Sequence, residues 1–567
     1  MYIDIVPNRK SPPAILLRES IRQGKKIVKR TLANLSDLSI EQARAIRRIL
    51  KGEKLVQPEK HFDISSSRAH GHVDAVLLTI RRLGLDKLIA SRRCKERDLI
   101  IAMIVSRILG PQSKLALSRS WENTTLGDLL GVDDTDEDAL YAAMDWLYGH
   151  QEGIEKRLAE RHLQEGGRVL YDLSSSYFEG KKCPLAELGY SRDQKKGKLQ
   201  VNYGLLTDER GCPVSISAFP GNVSDPKTLL PQIELLQGAF NLKSVVLVGD
   251  RGMISQKQVD ELKGHSGVGW ITALKTGAIR KLMEAESIQL TLFDKRNLFE
   301  FTHPDFPGEK LVACRNPDLA YRRKHKREAL LKATTEALEK IQGMVVRGYL
   351  KEADKIGVRV GRVINQYKMA KHFKLEIAEN QFSFEVDVEK ISAEAALDGI
   401  YVIRTSLADE LSAEDAVRHY KALSQVERAF RSIKTMDLEV RPIHHYQEQR
   451  VRTHLFICML AYYVKWHMME AWRPLLFADE DQQAKQIRDP VAAAKRSSEA
   501  AAKAQSKQLP DGSAVHSFQS LLRNLATIVR NTCQSRDAEA GTPSFTIDTQ
   551  PTANQQKAFQ LLKEIRM

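Results

Sequence analysis

The chain has 567 residues, of which 42% are hydrophobic and 28% charged, and carries a net charge of +15. At roughly 100–200 residues per domain this predicts three or four units of ordinary globular composition, with no need of disulfide staples. The longest apolar run, Leu455–Val464, has ten residues, well short of the roughly 20 that span a bilayer. The opening MYIDIVPNRK also lacks the apolar core of a signal peptide, so a soluble, cytoplasmic protein without a membrane partner is expected.

The basic excess points to a polyanion, because each Lys or Arg set against a phosphate releases a condensed counterion. A basic surface kept for other reasons is the alternative. Twelve Lys or Arg stand between Arg9 and Lys51 against Glu19, Asp37 and Glu41, which reads either as a DNA-gripping arm or as a solvated basic face. A helix is expected to start near Ser39, with Glu41 early and Arg44, Arg47 and Arg48 on later turns. Residues 1–165 are expected to be mainly helical. Apolar residues recur at helical spacing over 75–83 and 99–109, and Gly110-Pro111 breaks the second run. The break followed by a further helix from Ser113 reads as a helix-turn-helix or as a plain packing unit.

From 166 to 275 the pattern changes to strands alternating with helices. Arg168–Asp172 is a predicted strand, Val201–Leu206 and Pro213–Phe219 a hairpin, Lys227–Gly238 a helix. Ser244–Val248 is a strand buried on both faces, followed by a helix over 255–262 and a strand over 268–274. A mixed α/β sheet follows. Residues 276–405, with five short predicted strands and a charged helix near 321–341, read as an inserted β-rich subdomain. Helices return over 406–475. Residues 476–567 read as a linker, rich in Ala, Lys, Gln and Ser over 478–512, a helix near 517–531 and a polar tail.

Three acidic residues carry the chemistry. Asp172 is expected at the end of its strand, and Asp250 just past the strand 244–248 between Gly249 and Gly252, so both can meet beyond the carboxyl ends of the sheet. Each also has a plain reading as a turn-stabilising aspartate. Glu427 is expected in one helix spanning 415–434, on a face shared by Val417, Tyr420, Leu423, Phe430 and Lys434. A carboxylate in an apolar stripe needs a neutralising partner, either a metal or Arg431 four residues on. Three carboxylates make a hard, oxygen-rich site for Mg²⁺ or Mn²⁺. Two such ions about 4 Å apart suit an in-line phosphoryl displacement. The six cysteines are scattered with no CxxC pair, which predicts free thiols and argues against a cysteine-ligated zinc.

These stretches together resemble the DDE transposases of bacterial insertion sequences: YDLSSSYFEG (171–180), GYSRDQKKGKLQ (189–200), PGNVSDPKTL (220–229), VGDRGM (248–253), WITALK (270–275), YKALSQVERAFRSIK (420–434) and RPIHH (441–445). The likeness covers most of 15–470 and is closest to the cut-and-paste "IS four" superfamily, whose RNase H-like catalytic core is interrupted by a β-rich insertion. The gaps of 78 residues from Asp172 to Asp250 and 177 from Asp250 to Glu427 look like that subgroup. The resemblance implies an α/β, RNase H-like core with helical N- and C-terminal regions. It also implies two Mg²⁺ ions bridged by Asp172, with Asp250 and Glu427 on one each.

Further implications are cleavage at the ends of an element, joining of the freed 3′-hydroxyl to target DNA, a homodimer on double-stranded DNA, and a place at the nucleoid. Tyr420, Glu427 and Lys434 match the signature around the last carboxylate, and Leu423 stands where the signature has arginine. Arg428 and Arg431 are the candidate substitutes for phosphate contact, and Lys434 is a phosphate anchor by resemblance. Ser174–Ser176 are expected to be a polar strand end rather than nucleophiles. Asn222, Ser224 and Asp225 read as lining the site or as capping the helix that begins near Lys227, and Asp225 before Pro226 favours capping. His444, His445 and His454 read as phosphate contacts or as packed histidines. Competing readings are an RNase H-like nuclease or resolvase without strand transfer, and a non-catalytic, transposase-derived DNA-binding protein.

Overall fold

The computed structural model describes residues 1–9, 11–53, 62–478, 489–492, 495–535 and 544–566. Lys10 and much of the expected 478–512 linker therefore lie outside the described residues. Contacts divide the chain into two compact units, Met1–Arg68 with Val529–Thr549, and Ala69–Ile528 with Gln550–Met567.

The first unit opens with strands, not helices. β1 (Tyr2–Val6), β2 (Ala14–Gln23) and β3 (Lys26–Asn34) form an antiparallel sheet. Gln23 pairs with Lys26, and Gly24 has φ +62°. A two-residue turn with a left-handed first position is what a tight hairpin requires, and this overrides the helical expectation for these residues. The helix expected from Ser39 does form, over Ile40–Leu50, with Ser39 and Gln42 in a reciprocal capping box. It buries Ala43 against Ile3 and Ile15. β4 (Phe62–Ala69) belongs to a second sheet with β15 (Val529–Ser535) and β16 (Phe545–Asp548). The region read as a polar tail thus contributes two strands, and beyond them the helix Ala553–Lys563.

The second unit is built on an eight-stranded mixed sheet. Its strands are β5 (Arg168–Tyr177), β6 (Gln200–Asp208), β7 (Pro213–Pro220), β8 (Val245–Val248), β9 (Val268–Ala273), β10 (Leu298–Phe301), β11 (Lys310–Arg315) and β14 (Ile400–Thr405). The order is β10-β11-β14-β9-β8-β5-β6-β7. β5, β8 and β9 run parallel and the remaining neighbours antiparallel. β6 is buried along its whole length. Gly204 on β6 is obligatory, since a Cβ there would lie 2.3 Å from the Tyr171 hydroxyl.

Helices complete the core. Glu448–Ala471 is buried almost continuously from Val451 to Lys465, as an all-round apolar helix must be. Lys95–Leu109 ends at Gly110 as expected, but it is buried from Asp98 to Ile108, and its successor Lys114–Ser118 has five residues. The second helix is the one that a helix-turn-helix lays in the groove, and at five residues it is little more than one turn, so the pair is the plain packing unit. Among the described residues, no helix is long and apolar enough to cross a membrane.

The segment read as a β-rich subdomain is something else. Three of its five predicted strands, now β10, β11 and β14, extend the main sheet. What protrudes is largely helical: Pro317–Val346, Ala353–Tyr367 and Val388–Ala395, with a two-stranded ribbon of β12 (Phe373–Ala378) and β13 (Gln381–Val386). It has its own apolar cluster, including Leu338, Ile341, Ile356, Val360, Phe373 and Phe382. It leaves and returns at one point, where Asn316 N donates to Gly399 O at 2.9 Å. Gly399 (φ +77°) is needed there, because a Cβ would meet Asn316 O at 2.4 Å.

Candidate active site

Asp172 is not at a strand end. β5 runs five residues past it, paired only with β6, where Asp172 faces Leu205. The parallel partner β8 stops at Val248, opposite Leu170. Asp172 and Asp250 each stand two residues beyond that pair, so the register brings them side by side at the rim where β8 ends. Asp250 also does the plain work of an aspartate after a strand. Its Oδ1 accepts from Gly252 N (3.0 Å) and Met253 N (2.7 Å), which holds the turn. Asp172 Oδ1 accepts from Leu173 N at 2.8 Å.

Glu427 arrives from a different element, on terms the sequence misjudged. The expected single helix is two, Ala413–Lys421 and Leu423–Arg431, followed by a wide turn of helix over Ser432–Met436. The second buries Leu423, Val426, Ala429 and Phe430 against the core, and Glu427 is exposed. The apolar stripe therefore does not contain Glu427. Among the described residues it has no ion pair, so Arg431 does not neutralise it. Arg428 and Arg431 are exposed on the same helix, and Leu423 is buried where the family signature has arginine.

The three carboxylates feel one another. Burial pushes the half-buried Asp172 carboxyl up to about 7. The negative charges of Asp250 and Glu427 push the same way, against its bond from Leu173 N and the charge of Arg192. The Tyr420 phenol is pushed up to about 12 by burial, then by Asp250 and Glu427, with Arg251 opposing. Asp172, Asp250, Glu427 and Tyr420 thus share one neighbourhood. Among the described residues the three acids do not close to within 4.8 Å of one another. That is wider than the shell of one Mg²⁺, whose oxygens lie about 2.1 Å from the ion. The donor set is oxygen only and unpaired, and hard divalent cations fit it.

Lys434 is engaged inside the protein. Its Nζ lies 2.8 Å from Asp193 Oδ1 and 3.2 Å from Ser174 Oγ. Burial pulls its ammonium down, and Asp193 pulls it back up. Asp193, 1% exposed, also takes Arg441, and its Oδ2 accepts from Tyr177 N at 3.1 Å. This acid, which clamps β5 to Lys434 and Arg441, was passed over in the sequence. Its signal is the alternation of acid and base in GYSRDQKK. Arg192 next to it pairs with Asp225 at 2.6 Å, so Asp225 holds an arginine rather than capping a helix with its side chain. Ser175 and Ser176 are fully buried. Ser176 Oγ meets the Tyr203 hydroxyl at 2.8 Å, and Ser175 Oγ accepts from Arg192 N at 3.2 Å. Neither is poised as a nucleophile.

A cavity of about 420 Å³ lies beside this network, lined among others by Arg107, Lys114, Arg441, His445, Arg450 and His454. Lys114 is 5% exposed, and its ammonium is pulled down to about 7 by burial and by Arg107. His445 is pushed down to about 3 by burial, then by Lys114 and Arg107. Unmatched buried cations beside neutral imidazoles are an electrostatic demand for an anion. The sequence singled out the histidines but not Arg107 and Lys114, which looked like ordinary helix residues.

Two family models match the chain: Transposase DDE domain over residues 169–464, and IS1634 family transposase, N-terminal domain, over residues 3–62. No curated protein matches it. Among solved structures, the cryo-EM structure of piggyBac transposase synaptic complex with hairpin DNA (SNHP) aligns at 9% identity over 80% of this chain and 78% of that one, with a TM-score of 0.34.

Proposed function

The chain belongs to the DDE transposases of insertion sequences, and from that premise we propose that it cuts DNA at the ends of its element and joins the freed 3′-hydroxyl to target DNA. The observation that carries this is the register of β5 on β8, which sets Asp172 beside Asp250, with Glu427 near enough to raise the same carboxyl. Domains of this family generally use divalent metal ions. Here Asp172, Asp250 and Glu427 would hold two, Mg²⁺ or Mn²⁺, which would supply the charge neutralisation that in-line phosphoryl displacement needs.

The chain's own residues do the rest. Oδ1 of Asp250, fixed by two backbone N–H groups, leaves its other oxygen to turn toward Asp172. The Tyr420 hydroxyl, which feels the charges of Asp250 and Glu427, would contact the DNA near the cut. Arg428 and Arg431 offer exposed charge to the DNA backbone from the Glu427 helix. Lys434 acts through Asp193 and Ser174 to hold β5, and contacts DNA only if that network opens. The Lys114 cavity would take a phosphate of double-stranded DNA.

The order β7-β6-β5-β8-β9, an antiparallel hairpin continued by parallel strands, supports an RNase H-like core of the "IS four" kind. We assign DNA capture to residues 1–165, chemistry to 166–275 and 406–475, an accessory role to the insertion 276–405, and a peripheral role to 476–567. Pairing two element ends calls for a homodimer on DNA.

Ala substitution of Asp172, Asp250 or Glu427 is expected to abolish cleavage of a duplex carrying the element end while sparing binding in a gel-shift assay. Pre-cut ends then test joining. Nicking without joining would favour a stand-alone nuclease, and full activity in Asp250→Ala would overturn the catalytic assignment.

A further inference from the structure

Away from the carboxylates, three other donors converge. Cys212 Sγ, one nitrogen of His162 and one of His467 all lie within 4.8 Å of one another, the only such group of three among the described residues. They come from three elements: the turn that closes β6 onto β7, the last residue of the helix Gln151–His162, and the long helix Glu448–Ala471. The separations from Cys212 are 255 residues to His467 and 50 to His162, so no linear metal motif could announce them.

The geometry points to a second metal site, distinct from the carboxylates and specific for Zn²⁺, with Cys212, His162 and His467 as its protein ligands. Cys212 Sγ stands 3.8 Å from His467 Nε2, a separation that ligands at about 2.3 Å and 2.0–2.1 Å from a tetrahedral zinc can hold. The thiol's carrier is rigid. Cys212 N donates to Asp208 Oδ1 at 2.9 Å, and Asp208 N to Cys212 O at 3.0 Å. His162 Nε2 meets the Tyr463 hydroxyl at 2.9 Å, an outer partner of the kind that orients a ligating imidazole.

One thiolate and two imidazoles select a borderline-soft ion and reject Mg²⁺. The two sites would therefore not compete for one metal. Arg210, whose charge opposes a cation, is held by Asp208 through Nε at 2.9 Å and Nη2 at 2.8 Å. Bound by the three ligands, zinc would tie the hairpin beside the catalytic strand to two helices. Its part is structural, and it stands or falls independently of the phosphoryl chemistry.

The test uses the untagged full chain. Metal analysis after dialysis should find one zinc per chain, equally in wild type and Asp172→Ala, with affinity reduced at least about tenfold in Cys212→Ser and His467→Gln. Co²⁺ in place of zinc should give an intense thiolate-to-cobalt absorption that Cys212→Ser lacks. Should the variants fail to fold, X-ray absorption of zinc-loaded wild type decides. One sulfur and two imidazole nitrogens in the shell support the site. A shell without sulfur, no retained zinc, or a cobalt band unchanged in Cys212→Ser overturns it.

Discussion

Asp172 illustrates how one residue answers to two environments. Packed into a strand buried on both faces and set near two other acids, its carboxyl is pushed up from 3.8 to about 7, chiefly by burial. A raised folded value means that its contribution to stability is complete below about pH 3.8 and is lost as pH climbs through 7. In metal-free protein, Asp172→Asn should therefore raise the melting temperature strongly at pH 8 and only slightly at pH 5, as followed by thermal denaturation in chelator. An equal gain at both values would mean that the charge is not what burial opposes. Glu427 teaches the opposite lesson. Its place on an apolar face was inferred by running one helical period across 415–434, but the helix breaks at Ala422 and the count no longer holds. Glu427 is exposed and still part of the group, because its second helix packs on β5 through the opposite face.

Among the elements, the insertion departs furthest from expectation. Alternation in 298–301, 310–315 and 400–405 correctly announced strands, but period-2 patterning carries no label for the sheet a strand will join. Pairing assigned them to the main sheet, and left a helical protrusion with its own core. Because its ends are bonded to each other at Asn316 and Gly399, replacing 317–398 by a short Gly-Ser linker should leave the remainder folded. Circular dichroism and a single cooperative melt would check this, and aggregation of the excised protein would show that the protrusion supports the sheet. The N-terminal hairpin differs from expectation for another reason: a dense basic composition carries no helix or strand period, and the hairpin rests on the turn at Gly24 (φ +62°) between the paired Gln23 and Lys26.

Across the whole molecule the excess of +15 sets the terms of DNA binding. Affinity should fall linearly on a plot of log K against log salt, by about 0.9 per phosphate contact. Lys114→Gln should make that slope shallower by about 1 if the cavity takes a phosphate. An unchanged slope in filter binding would remove Lys114 from the DNA path and leave the cavity a packing feature.

Composition, strand and helix periods, and the order of short acidic and basic stretches were enough for a mixed α/β fold and for the family, and they singled out the three acids proposed as the site, because these are local or additive properties of the chain. Which residues face one another is not local. The side-by-side placement of Asp172 and Asp250 follows from a parallel register. The engagement of Lys434 by Asp193, and the meeting of Cys212 with His162 and His467, follow from packing between elements 50 to 255 residues apart. No spacing along the chain encodes such distances, so they emerged only when the sheet and its helices were assembled.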